Sequence, residues 1–169
     1  MSIFKTSISL FVVFALIFVS CSSTESVDTK VQKVDLVAVG PLFEGVNTAV
    51  VDFDFQEVLP KGKMKSQLDE VILKSVKLSM DTSTLPLPNS FTLSLASPNT
   101  SMKECGFLNE PKWNNEGKFE IKLAKEQDFL LEVLQDKNQT LVVDFNLAED
   151  WYDDYSISAE LDWEVKLKN

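Results

Sequence analysis

Residues 155–167 read YSISAELDWEVKL. Tyr155, Ile157, Ala159, Leu161, Trp163, Val165 and Leu167 alternate with polar residues without a break. A period of two over this length is a half-buried β-strand, with one face on a core and the other on water. A helix would repeat near 3.6 residues and scatter these side chains around its axis.

Working outward, the same alternation recurs. Leu141, Val143, Phe145 and Leu147 form one set, with Asp144 and Asn146 on the other face. Phe119, Ile121 and Leu123 form another, as do Phe91, Leu93 and Leu95, Val76, Leu78 and Met80, and Val51, Phe53 and Phe55. Val34–Val39 reads as a further strand. Turn chemistry separates these runs: Gly40-Pro41, Pro60-Lys61-Gly62, Pro86 to Asn89, and Asn114-Asn115-Glu116-Gly117. Two segments carry helical spacing, SQLDEVIL at 66–73 and KEQDFLLEVLQ at 125–135. Together these predict an all-β fold, an antiparallel immunoglobulin-like β-sandwich of about seven strands with one or two short helices. A small barrel is the alternative.

The chain has 169 residues, 44% of them hydrophobic, which suits one packed domain. Acids outnumber bases by 26 to 16, for a net charge of −10. A surface this acidic repels phosphate backbones and argues against nucleic-acid binding. There is no His and no Arg. That removes imidazole-based triads and metal sites, and bidentate guanidinium clamps for phosphate. Carboxylate or lysine chemistry is all that survives, so the chain is expected not to be an enzyme.

The N-terminus has a different character. Lys5 precedes an almost wholly apolar run, ISLFVVFALIFV at 8–19. Twelve helical residues span roughly 18 Å, short of the ~30 Å hydrocarbon core, so a signal peptide is expected rather than a spanning helix. Phe18-Val19-Ser20-Cys21 resembles the lipobox of bacterial lipoproteins, departing from it at Phe18. The resemblance implies cleavage before Cys21, acylation of its sulfur, and stable attachment of the new N-terminus to a membrane. The expected organisation is a signal peptide at 1–20, a lipidated Cys and flexible tether at 21–32, and a β-sandwich at 33–169. In outline the chain resembles the small lipid-anchored β-sandwich proteins of Bacteroidetes-type bacteria. That likeness implies export to a bacterial membrane, with the outer membrane favoured and its face left open. It carries no catalytic residues.

Candidate sites are few. Glu149, Asp150, Asp153 and Asp154 surround Trp151 and Tyr152 in a segment expected to be a hairpin loop. Four carboxylates so close could ligate Ca²⁺, a hard cation that favours oxygen. Trp151 and Tyr152, with Trp113 from another loop, could form an aromatic platform for a sugar face. The plainer reading folds these aromatics onto the sandwich. Asp52 and Asp54 alternate along a strand and are expected on one solvent face. Cys105, in the turn-like stretch Ser97–Pro111, is expected to be a small half-buried residue, since no His can activate it.

The expected function is a lipid-anchored cell-envelope β-sandwich with a non-catalytic binding or structural role, its partner a protein or a glycan. The alternatives are a carboxylate-dependent enzyme acting on polysaccharide and a Ca²⁺-stabilised adhesion module.

Overall fold

The computed structural model describes residues 24–81, 85–113 and 117–168. The signal-peptide and Cys21 expectations therefore fall outside the described residues. Ten strands and one α-helix follow in order: β1 (Thr24–Asp28), β2 (Gln32–Ala38), β3 (Gly45–Phe53), β4 (Leu68–Ser79), β5 (Ser90–Ser97), β6 (Thr100–Asn109), β7 (Lys118–Glu120), β8 (Lys122–Leu123), α1 (Phe129–Gln135), β9 (Gln139–Leu147) and β10 (Tyr155–Lys168). Single 3₁₀ turns occupy Phe55–Glu57 and Lys65–Gln67.

β10 is the spine. All seven of its inward residues, from Tyr155 to Leu167, are buried. At roughly 1.5–3 kcal/mol for each large apolar side chain removed from water, this one face contributes on the order of 10 kcal/mol before chain entropy is charged against it. The strand order is β7-β4-β10-β2-β3-β9-β5-β6-β8, with β1 also on β10, and every pairing is antiparallel. The ladder folds over, so the buried faces of β10 and β4 meet those of β9 and β5 over one core. Phe145 of β9 stacks on Tyr155 of β10 at 4.9 Å, which places the two strands in opposite layers. On one side the layers join through β2 and β3. On the other, the chain crosses between them within 118–123: β7 pairs with β4, Ile121 turns into the core, and β8 pairs with β6.

Four expectations need correction. There are ten strands where about seven were counted. Residues 66–73, read as helical, are a 3₁₀ turn leading into β4. The reason is two register shifts against β10, between Asp162 and Trp163 and between Lys166 and Leu167. The extra residues space the buried positions Leu68, Val71, Leu73, Val76 and Leu78 by three, two, three and two. Steps of three imitate a helix. The stretch 97–111, read as a turn, is mostly β6, whose exposed run hides its strand character. Residues 24–28, read as part of the tether, are β1, running along the end of β10 with Thr24 opposite Lys168. The second helical reading holds, shortened to Phe129–Gln135 with Leu130, Val133 and Leu134 buried. Ahead of it, Gln127 acts as a surrogate strand residue, accepting from Leu73 N at 2.9 Å and donating to Leu73 O at 3.2 Å.

This topology gives the molecule two distinct ends. Thr24, Lys168 and the β3–β4 connection lie at one, here the proximal end. The 39–44 and 148–154 connections lie at the other, the distal end, beside Ala38 and Tyr155.

Candidate functional site

The acidic-aromatic segment 148–154 is not a hairpin. It carries the chain from β9 to β10, which lie in different layers, and it is laced to the 40–44 segment. Leu42 and Trp151 exchange backbone hydrogen bonds, Leu42 N to Trp151 O at 2.7 Å and Trp151 N to Leu42 O at 2.9 Å. The Asp150 carboxylate accepts from Glu44 N at 2.8 Å, and that of Asp154 from Gly40 N at 3.1 Å. Gly40 sits so close that an added Cβ would lie 2.6 Å from Asp153 O. Two of the four expected Ca²⁺ ligands therefore pin a neighbouring loop, while Glu149 and Asp153 face solvent. Among the described residues no group of three or more carboxylate, Cys or His side chains is placed to hold a metal ion.

The two tryptophans do not form an exposed platform. Trp113 packs edge-on against Phe119 at 5.0 Å and lies 6.1 Å from Phe91. Trp151 is half-buried against the core. Of the three aromatic candidates only Tyr152 stands in solvent. Asp52 and Asp54 also part company. Asp52 accepts from Thr140 Oγ1 on the outer face at 2.6 Å. Asp54 lies past the end of β3 and caps the following turn, accepting from Gln56 N at 2.9 Å and from Lys65 Nζ at 2.7 Å. Burial works to raise its pKa, but the bonds from Lys65 and Gln56 outweigh it and the carboxyl titrates below its ordinary value. Cys105 is buried on β6, and desolvation pushes its thiol up to about 12, so it is a poor nucleophile.

What the sequence reading missed is an apolar surface at and below the distal end. Val39, Phe43, Val46 and Tyr152 are 74%, 62%, 73% and 74% exposed, and Val37 and Val50 are also exposed. Val37 and Val50 are direct register partners across β2 and β3. Val39 shares the outer face of Val37, and Val46 that of Val50, by strand alternation. The Leu42–Trp151 bridge brings Phe43 and Tyr152 to the same end. Exposed apolar side chains gathered at one end are the kind of surface that marks an interaction site. Its rim is acidic, with Glu44, Glu149, Asp150, Asp153 and Asp154. A signal was present in VDLVAV at 34–39 and GVNTAVV at 45–51, where apolar residues fill both strand faces.

No protein-family model matches the chain, and no curated protein matches it. A solved structure from work on the promiscuous specificity of carbohydrate-binding modules of the β-sandwich superfamily is similar at 11% identity and a TM-score of 0.38. The match covers 85% of this chain and 58% of that one.

Proposed function

We propose that this chain is a lipid-anchored, non-catalytic binding module of the bacterial cell envelope, an immunoglobulin-like β-sandwich that presents its distal apolar surface to a protein partner. The observation that carries this reading is the position of the exposed valines, Phe43 and Tyr152. They lie at the end opposite Thr24, where the chain enters from Cys21. A tether at one end leaves the other free to meet a partner.

Aliphatic composition favours a protein over a glycan. Sugars are held by exposed aromatic faces, and here both candidate tryptophans are folded onto the core, which leaves Tyr152 and Phe43 among four exposed valines. An apolar centre with a polar, acidic rim is the anatomy of a protein interface. The lipid anchor rests on the lipobox resemblance at Phe18–Cys21, and placement on the outer membrane on the likeness to lipid-anchored proteins of Bacteroidetes-type bacteria. The non-catalytic reading rests on the lack of His and Arg in the chain and on the separation of Asp52, bound to Thr140 on the outer face, from Asp54, which caps the next turn.

The test is sedimentation of the protein extracted from its own envelope in mild detergent. The wild type travels in a particle larger than a monomer, and Val39→Ser/Val46→Ser collapses it to a monomer without lowering its melting temperature. A monomeric wild type, or a complex that survives the double substitution, contradicts the reading. Cys21→Ala in the same cells moves the protein out of the membrane fraction if the anchor is as proposed.

A further inference from the structure

Below the distal surface the two layers part. Val37↔Val50 is the one register pair between β2 and β3 among the described residues. From there β2 stays with β10 down to Gln32↔Leu161, while β3 stays with β9 down to Phe53↔Gln139. Between them opens a cleft of about 570 Å³. Lys30, Lys33 and Val34 line one wall; Asp52, Phe53 and Glu57 line the other.

The walls are strand edges. Each strand offers N–H and C=O groups to both sides, and here β10 satisfies one edge of β2 and β9 one edge of β3. The edges facing the cleft have no strand partner among the described residues. Paired edges that face each other across an opening are a template for another chain. Only an extended backbone supplies donors and acceptors at the ladder spacing along such an edge. The cleft is lined along this wall from Lys30 to Val34, about five residues, or roughly 16 Å at ~3.3 Å per residue. Half-buried Val34 and Phe53 offer apolar contact for alternate side chains of an incoming strand. Lys30 on one wall and Glu57 on the other suit the intervening charged ones, Lys33 being already held by Glu160 at 2.6 Å.

We propose that this seam accepts an extended peptide strand with alternating apolar and charged residues, continuing the ladder below the Val37–Val50 rung. The site adjoins the distal surface at the Val37–Val50 rung and does not rest on the function proposed for that surface.

The test is residue-resolved amide exchange on the full chain in detergent micelles. The probes are a short peptide alternating Val with Lys and Glu, and its twin N-methylated at every second residue. N-methylation removes ladder donors and leaves the side chains in place. At ten times its dissociation constant the plain peptide slows exchange about 10-fold at cleft-facing amides within 30–34 and 52–54. The twin does not, and Val39→Ser/Val46→Ser leaves the protection intact. The proposal is overturned if both peptides protect equally, or if protection appears only around Val37–Val50. It is also overturned if the edge amides are already slow without peptide, or if about 1 mM peptide protects nothing, since that bounds binding at about −4 kcal/mol.

Discussion

Gln139 is the fold's most exacting polar residue, and Gln139→Met tests how its proximal end is held. The side chain is fully buried at the start of β9. Its Oε1 accepts from Phe55 N at 2.9 Å. Its Nε2 donates to Asp136 O at 2.7 Å, with longer contacts to Val133 O and Leu134 O at the end of α1. Methionine fills the space and makes none of these bonds. Asp136 O keeps a second donor in Lys65 Nζ, so it is not orphaned. Phe55 N–H is orphaned, in the interior, and the last α1 carbonyls lose a donor. A buried unsatisfied group costs ~1–3 kcal/mol, so the substitution should cost about 2–4 kcal/mol in all. For a domain of this size that lowers the melting temperature by roughly 5–15 °C. Chemical denaturation of the folded domain reads the free energy and calorimetry the temperature. A loss below about 0.5 kcal/mol, the range of ordinary surface substitutions, would refute the reasoning.

Three further outcomes follow. Gly40→Ala drives a methyl group into the Asp153 backbone carbonyl, 2.6 Å from the ideal Cβ, and should loosen the 40–44 and 148–154 segments together, seen as faster amide exchange at Leu42 and Trp151. Unchanged exchange there would mean that the close approach is not held. The Asp136 carboxyl is kept below its ordinary value by hydrogen bonds from Ser97 and Asn99. With a folded pKa below the unfolded one, near 4, it stabilises the fold above that value and loses its contribution as pH falls through the folded pKa. Asp136→Asn should therefore flatten the acid limb of a stability-against-pH curve, and an unchanged limb contradicts the assignment. Cys105, with its thiol raised to about 12, should resist alkylation at pH 8 in the native state and react on unfolding; rapid native labelling would place it nearer the surface.

How much was legible in the sequence depended on regularity. β10, β9 and β5 alternate cleanly because each presents one face to the core, and they were read correctly. β4 was half misread because its bulges against β10 break the period that the reading relied on. β6 was missed because most of its first half is exposed, so burial leaves little pattern in Thr100–Asn109. The connection 148–154 was placed between the right strands, but alternation says nothing about layers, and β9 and β10 turned out not to be neighbours. The acids there were visible as a cluster. Their employment in holding Gly40 and Glu44 was not, because it depends on a contact across more than a hundred residues. The apolar surface was overlooked for a related reason. At the end of β2 the core takes Leu36 and Ala38 and leaves Val37, and Val39 just past the strand, outside, a choice that two apolar faces cannot announce.

Contact between the distal surface and a protein partner is read out by a photo-crosslinking scan in intact cells. A photoreactive residue is placed in turn at Val39, Phe43, Val46 and Tyr152, and at Met64 and Met102, which are exposed but lie outside the patch. One discrete protein adduct is expected, shared by the four distal positions and absent from the two methionines. Adducts that form equally at all six positions, or only at the methionines, would contradict it.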